Sequence, residues 1–423
     1  MKSKLALCGG RKTIDYDLKR YNPIGSEEKA AVMEVMDSGI LSDFLGIWDE
    51  DKFYGGKNVK VFEEGVKEKF NVRHAVAVNS LTSGLIASVG AIGIEPGDEV
   101  IVSPWTMSAT AMAILWWNAI PVFADIESET FCLSPQSIKK NLSSYTKAII
   151  ATDIFGQSAD MGAINDIARA NNLKVISDSA QAPNAMYNGA HAGTLADIGG
   201  YSLNYHKHIH TGEGGVLVTN DDNYAERLRL IRNHGENIVG PRGDVDLANM
   251  IGGNFRLGEL EAAIGIQQLK KLDKLTSKMT DVGEKLRVGL AGLEGLRPPV
   301  VREGCTHVYY TFPMVIDPRA IGTSREKILG ALRAEGVPIG KGYVNIHTLP
   351  IFLEKIAYGK KGFPWNSKIY RGSVRYGVGT CPVAESLHSE SLVSIPICAY
   401  DWQSEDVESV IRAFHKVWEA LPL

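Results

Sequence analysis

The sequence predicts an α/β protein of two domains: a large domain with a mostly parallel sheet flanked by helices, and a smaller C-terminal α+β domain. Three observations lead to this prediction. The 423 residues exceed what a single hydrophobic core usually accommodates. Short apolar runs bounded by turn residues alternate with helical stretches as far as about residue 270, which is typical of crossover βα units. Beyond that point the alternation weakens.

The elements follow from local patterns along the chain. Ser26 to Glu28 cap a predicted helix that Gly39 ends. The apolar runs that predict strands lie at 75–78, 99–102, 120–123, 148–151, 174–176 and 215–218. A helical stretch reaches Leu293, and a second unit then contains a strand at 308–316, a helix at 324–334 and a closing helix at 404–421. We therefore expect a large domain at 1–275, including the N-terminal segment, and a small domain at 276–423.

Composition excludes several classes of partner. Lys and Arg total 45 against 49 Asp and Glu, so a net charge of −4 gives no general attraction to nucleic acid or anionic membranes. The most apolar stretch, 109–124, is too short to span a bilayer. The five cysteines are far apart and form no CxxC pair. We expect a cytoplasmic protein without a nucleic-acid, membrane or metal partner.

Two segments at strand ends carry candidate chemistry, because ligands of open parallel sheets bind beyond the carboxyl ends of the strands. The stretch 79–84 begins a helix, where Thr82 and Ser83 and the backbone N–H groups can form an anion site. A plain N-cap is the alternative. Asp178 ends an apolar run, and a carboxylate there can pair with a protonated pyridine nitrogen, as the chemistry of pyridoxal 5'-phosphate (PLP) requires. A helix cap or a metal ligand remains the alternative.

Lys207 lies between His206 and His208, just before the glycine turn at 211–215. A lysine between imidazoles, beside a turn that admits a bulky ligand, is unlike a solvated surface lysine. Partial burial and a nearby cationic cofactor would favour the neutral amine that Schiff-base chemistry needs. The alternating histidines, which include His210, leave a metal site as an alternative, although no carboxylate follows at a typical ligand spacing.

Taken together, these segments resemble the DegT/DnrJ/EryC1/StrS family of sugar aminotransferases, within fold type I of the PLP-dependent transferases. The resemblance covers nearly the whole chain. Its matching segments, in order, are 5–10, 94–100, 156–161, 178–182, Lys207, 211–215, 253–257 and 382–385. Leu81 and the stretch 203–206 depart from the usual family pattern, which bears on substrate fit rather than on cofactor binding.

The resemblance implies a role for each matching residue. Lys207 would hold PLP as a Schiff base and then move the proton as general base and acid. Asp178 would pair with the pyridine nitrogen, and Gln181 would lie near the phenolic oxygen. The other cofactor contacts that it implies are Trp105, which stacks on the ring face, the phosphate ligands Thr82, Ser83 and Ser202, and Asn254, a phosphate contact from the neighbouring subunit.

A homodimer with a shared active site follows from the implied role of Asn254. Tyr343 and His347 lie in a stretch similar to the family's substrate-facing segment, with ordinary packing as the alternative reading of both.

The expected reaction is transamination, in which an amino donor, L-glutamate, converts PLP to its pyridoxamine form and the latter aminates a ketone. The resemblance implies a nucleotide-linked keto-deoxysugar as acceptor. A keto-cyclitol or a free ketose is the alternative, supported by the stretch 376–385. A PLP-dependent lyase or sugar dehydratase and a non-catalytic PLP-binding regulator are further alternatives. Lys207 argues against the related dehydratases that carry histidine at this position.

Overall fold

The computed structural model describes residues 4–243 and 246–422, and a seven-stranded sheet forms its centre. The strands are β1 (His74–Val78), β2 (Glu99–Val102), β3 (Ile120–Phe123), β4 (Thr146–Thr152), β5 (Lys174–Asp178), β6 (Met186–Tyr187), β7 (Ala190–His191), β8 (Ile198–Ser202), β9 (Gly215–Thr219), β10 (Leu296–Arg297), β11 (Phe312–Ile316) and β12 (Leu392–Ile395). The central order is β1-β9-β8-β5-β4-β2-β3. Only the two pairings of β9 are antiparallel in this sheet, so the predicted mostly parallel sheet is confirmed.

Helices cover the sheet. They are α1 (Ser26–Ser38), α2 (Lys57–Phe70), α3 (Leu81–Ala91), α4 (Ala109–Trp116), α5 (Pro135–Lys140), α6 (Met161–Ala170), α7 (Asp222–Arg232), α8 (Val239–Arg242), α9 (Glu259–Gly289), α10 (Arg325–Ala334), α11 (Pro350–Leu353), α12 (Pro382–Ser386) and α13 (Ser404–Glu419). The prediction that Ser26 to Glu28 cap α1 is wrong in register. Gly25 is the N-cap, and its N–H donates to the Glu28 carboxylate at 2.7 Å.

Five strands were not predicted, β6, β7, β8, β10 and β12, and β11 is shorter than expected. Strand β8 has the sequence Ile-Gly-Gly-Tyr-Ser, and its glycines hide it from a search for β-branched and aromatic runs. The strand predicted at 308–316 is shorter, because it begins only at Phe312. The residues before Phe312 bond elsewhere: the N–H of Val308 donates to the carbonyl of Gly156 at 2.8 Å.

The C-terminal part contains the three-stranded sheet β10-β11-β12, with α10 and α13 among the helices that pack on it. Leu5 and Ile14, from the N-terminal segment, pack into the core of this part. Conversely, Phe352 and Trp365 of the C-terminal part pack into the hydrophobic core around the large sheet. Helix α9 runs without interruption across the predicted boundary at 275/276, and the division into 1–275 and 276–423 stays a prediction. Within 4–243 and 246–422, no helix has the length and apolar character needed to cross a membrane.

A buried ion pair ties α2 and α7 to β1. The Arg232 guanidinium is fully buried and lies 2.6 Å from the Glu63 carboxylate. Arg232 also donates to the carbonyl of Ala77 at 3.0 Å, and the N–H of Ala77 donates to Glu63 at 2.8 Å. Removing one partner of such a pair leaves the other charge buried without compensation.

Glu63→Gln is therefore expected to destabilise the fold by about 3 kcal/mol, because Arg232 would keep its charge in an apolar core. Urea denaturation followed by far-ultraviolet circular dichroism measures this difference. The matched control is Asp166→Asn, which breaks the exposed Arg169–Asp166 pair on α6 and should leave the midpoint almost unchanged. Equal midpoints for Glu63→Gln and the parent protein would contradict the role assigned to the buried pair.

Candidate active site

The predicted catalytic residues meet at the edge of the sheet where the parallel strands end. Asp178 is the last residue of β5, and it is the Cα partner of Gly200 on β8. Strand β8 ends at Ser202, and the turn that follows contains Lys207, whose N–H donates to the carbonyl of Asn204 at 3.0 Å. The two strands therefore bring Asp178 and Lys207 to one side of the molecule, although 29 positions separate them in the sequence.

Lys207 is buried, with only 7% of its surface exposed. Its Nζ lies 4.5 Å from the centroid of the Tyr310 ring. Burial lowers the pKa of the Lys207 amine from 10.5 to about 8, and the negative charge of Asp178 opposes part of that change. Burial also lowers the pKa values of both neighbours, His206 and His208, to about 4. Lys207 is thus an amine that loses its proton far more readily than a surface lysine.

Asp178 is a buried carboxylate held by several donors. The Thr110 hydroxyl donates to Oδ2 at 2.7 Å, and the N–H of Ala180 donates to Oδ1 at 3.2 Å. The Thr110 hydroxyl is also hydrogen-bonded to the Thr106 hydroxyl, at 2.7 Å. Burial raises the pKa of Asp178, while the bond from Thr110 and the charge of Lys207 lower it. This carboxylate is oriented and close to a cation, which suits it to pairing with a protonated ring nitrogen.

Two polar contacts join the C-terminal part to the site. The Gln181 amide nitrogen donates to the Tyr343 hydroxyl at 2.5 Å, and its oxygen accepts from the N–H of Phe155 at 2.8 Å. The Trp105 indole N–H donates to Asn345 Oδ1 at 2.7 Å. Burial raises the pKa of Tyr343 to about 12, so its hydroxyl stays protonated at neutral pH. Tyr343 therefore belongs to the same cluster as Gln181 and Asp178.

The N-terminus of α3 lies beside the start of β9. Ser80 caps the helix by accepting from the N–H of Ser83 at 3.1 Å, and the Ser83 hydroxyl donates to Asn79 at 2.7 Å. Thr82 is exposed in the first turn. Gly215 permits this approach, because a Cβ atom there would lie 2.6 Å from the Leu81 nitrogen. Ser202 is paired with Gly215 across β8 and β9, so it lies near the helix end that carries Thr82 and Ser83, where an anion could bind.

Two further predicted residues have other partners. Asn254 is exposed, its side-chain oxygen accepts from Arg256 at 2.8 Å, and its carbonyl accepts from the Asn79 side chain at 3.2 Å. His347 is fully buried, and its Nε2 lies 2.9 Å from the Glu385 carboxylate. Its environment is one of packing and pairing with Glu385. The roles predicted for Asn254 and His347 stay predictions.

Several site residues carry no sequence signal. Thr110, which holds Asp178, lies on the apolar helix α4, and Tyr310, which lies against Lys207, precedes β11. Asn345 bonds Trp105 across 240 positions. Only the tertiary structure identifies these three residues. Among the residues that the structure describes, no three His, Cys, Asp or Glu side chains form a metal-binding group, and His208 Nε2 is engaged with the carbonyl of Val308 at 2.9 Å.

The chemistry of this donor set fits a cofactor with three features. A carbonyl group could condense with the buried Lys207 amine. A protonated ring nitrogen could pair with the buried Asp178 carboxylate. An anionic group could bind at the N-terminus of α3, next to Ser83 and Ser202. A carbonyl, a basic ring nitrogen and an anion together match PLP, and the residues suited to each come from three separate elements of the fold.

Comparisons with known proteins agree with this chemistry. The family model described as the DegT/DnrJ/EryC1/StrS aminotransferase family matches residues 34–375. A GDP-perosamine synthase from Vibrio cholerae is 32% identical, over 83% of this chain and 91% of that protein. The L-glutamine:2-deoxy-scyllo-inosose aminotransferase of Streptomyces fradiae is 31% identical, over 82% of each chain. Among solved structures, S. venezuelae DesV in complex with a ketimine intermediate has a TM-score of 0.76 at 28% identity, covering 93% of this chain and 95% of that one.

The lowered pKa of Lys207 predicts a pH-dependent stability. Between about pH 8 and 10.5 the unfolded chain holds the Lys207 proton and the folded chain does not. The folded state is therefore stabilised as the pH rises through that window, by about 3 kcal/mol in total. Lys207→Met should lack this gain. Denaturant midpoints of both proteins, purified without cofactor and compared at pH 7.5 and 10, measure the difference, and parallel pH dependences would exclude a depressed Lys207 pKa.

Proposed function

The chain belongs to the DegT/DnrJ/EryC1/StrS aminotransferase family, and from this premise we propose that it binds PLP through Lys207 and transfers an amino group from an amino acid to a keto-sugar. The observation that carries the proposal is the buried pair of Lys207 and Asp178 at the end of β5 and β8. Both groups are buried and influence each other electrostatically, and buried charges are costly to a fold, so a role in chemistry accounts for them better than a role in stability.

Each residue of the cluster has a defined task in this proposal. When bound, PLP withdraws electrons from the carbon attached to the amino group. Asp178 holds the ring nitrogen protonated, and Lys207 moves a proton at its Nζ as base and then as acid. Thr82, Ser83 and Ser202 bind the phosphate at the N-terminus of α3, and Trp105 covers the ring face. Gln181, oriented by the N–H of Phe155 and the Tyr343 hydroxyl, bonds the phenolic oxygen.

We infer the acceptor class from the names of two similar proteins. The GDP-perosamine synthase similarity favours a nucleotide-linked keto-deoxysugar, and the inosose aminotransferase similarity favours a keto-cyclitol as the second candidate. Tyr343 and His347 lie in the segment that we assign to the acceptor, and of these two Tyr343 has the better support, since its hydroxyl reaches Gln181. L-Glutamate is the proposed amino donor. If the acceptor is a keto-cyclitol, the name of the inosose aminotransferase favours L-glutamine as the donor instead.

Absorbance spectroscopy of the reconstituted enzyme tests the donor half of the reaction. With PLP, the parent protein should show a visible band from the lysine-bound cofactor, and Lys207→Ala should not. L-Glutamate or L-glutamine should abolish that band as the cofactor takes up the amino group. A band that forms but persists with every amino donor would favour a lyase or a regulatory PLP-binding protein. Absence of a lysine-dependent band would refute the proposed function.

The acceptor half is tested by returning the aminated cofactor to its original form. We expect GDP-4-keto-6-deoxymannose to restore the visible band faster than 2-deoxy-scyllo-inosose does, by at least about tenfold in kcat/KM, because an added group bound in the transition state raises that ratio. Tyr343→Phe should lower kcat/KM for the preferred acceptor, because Gln181 loses the hydroxyl that accepts from its amide nitrogen. A preference for the cyclitol would establish the second candidate instead.

We also propose that the active form is a homodimer, with Asn254 of one protomer binding the cofactor phosphate of its partner. Lys207→Ala and Asn254→Asp should each be nearly inactive, the latter because a carboxylate repels phosphate. Mixing the two variants under subunit exchange should recover part of the parent activity, since a mixed dimer contains one site with both residues intact. The control is mixing Lys207→Ala with Asp178→Ala, which should recover nothing. No recovery in the first mixture would mean that Asn254 acts within its own chain.

A further inference from the structure

A second buried carboxylate lies next to Asp178. Asp153 follows β4, the strand beside β5, and none of its surface is exposed. The two residues are joined through the backbone, because the N–H of Asp153 donates to the carbonyl of Asp178 at 3.0 Å. No step of the proposed reaction uses Asp153, and a buried carboxylate that serves no purpose is costly to retain.

The Asp153 carboxylate holds the residues on both sides of Asp178. Its Oδ2 accepts from the Ser177 hydroxyl at 2.9 Å and from the Ser179 hydroxyl at 2.5 Å, and its Oδ1 accepts from the N–H of Ala159 at 2.8 Å. Ser177 and Asp178 are successive residues of β5, so their side chains point to opposite faces of the sheet. Asp153 thus fixes the backbone that carries Asp178 from the opposite side.

The charge of Asp153 also acts on the site. Burial raises the pKa of Asp153 to about 6, and the hydrogen bonds from Ser179, Ala159 and Ser177 oppose a larger rise. The titratable groups that face it are Asp178 on β5, Tyr201 on β8, and Cys132 and Cys305 in loops. All four groups are acids, and none of them is a cation. A cation bound at the end of β5 would therefore interact with two nearby carboxylates, Asp178 and Asp153.

We propose that Asp153 is a positioning residue of the cofactor site, which anchors Ser177 and Ser179 and supplies a second fixed negative charge that helps Asp178 keep the PLP ring nitrogen protonated. This inference rests on the proposed function. It makes the Asp153–Asp178 pair, and not Asp178 alone, the unit that sets the electronic state of the bound cofactor. Thr110 orders Asp178 from one side of β5, and Asp153 orders it from the other.

The test is a pH titration of the visible absorbance of the PLP-loaded enzyme between pH 6.5 and 10. Asp153→Asn keeps the shape of the side chain and removes its charge. The visible absorbance follows the proton on the nitrogen that joins Lys207 to PLP. That cation lies in the same electrostatic field as the protonated ring nitrogen, so loss of the Asp153 charge should lower the midpoint of the titration by about 1 pH unit. Asp153→Ser, also neutral, should lower the midpoint in the same direction and serves if the asparagine variant does not fold.

Asp125→Asn is the matched control, because Asp125 is a buried carboxylate at the end of β3 that accepts from the N–H groups of Val383 and Ala384 at 2.8 and 3.1 Å. It should lower the denaturation midpoint and leave the absorbance titration unchanged. A neutral Asp153 variant that folds and binds PLP with the parent's midpoint would overturn the inference while leaving the proposed function in place. If the parent protein itself forms no visible band with PLP, the proposed function and the inference about Asp153 are both refuted.

Discussion

Two opposite charges, the Lys207 amine and the Asp178 carboxylate, are buried at one edge of the central sheet, and the surrounding structure compensates for the cost of keeping them there. An isolated charge in a protein interior costs several kcal/mol even after relaxation. The cost of burying the Asp178 charge is offset by hydrogen bonds from Thr110 and the N–H of Ala180 and by the nearby cation. The cost of burying the Lys207 charge is offset less completely, by the charge of Asp178 and the ring face of Tyr310. The lowered pKa of Lys207 is the physical result. A nucleophilic amine follows from this incomplete compensation.

The strand order explains why these groups can meet. Parallel strands end at the same edge, so β5 and β8 bring residues far apart in sequence together. The antiparallel strand β9 lies between β8 and β1 and starts at that same edge with Gly215. The absence of a side chain at Gly215 lets the α3 N-terminus approach β8. A helix end of the kind that favours anions therefore lies at the same edge as the amine and the carboxylate.

The C-terminal part completes the site through a few polar bonds. Tyr343 and Asn345 reach Gln181 and Trp105, and the N–H of Ile346 donates to the carbonyl of Pro104 at 3.1 Å. Two of the residues predicted to contact the cofactor are thus held by a segment more than 160 positions away. Such contacts couple the segment at 343–346 to Gln181 and Trp105, so that a change in one part alters the geometry of the other.

The sequence by itself determined the elements whose signals are local: the apolar runs of the parallel strands other than β8, the helix start after Asn79, and polar residues at strand ends, among them Asp178. It also singled out Lys207, through its histidine neighbours and the glycine turn at 211–215. It did not determine β8, whose glycines carry no strand signal, nor the identities of Thr110, Tyr310 and Asn345 as neighbours of the predicted site residues. These residues owe their roles to partners that are distant in the chain, and neither periodicity nor composition encodes such pairings. Tertiary structure alone decided them, because the pKa of a buried group depends on every charge and donor that the fold places around it.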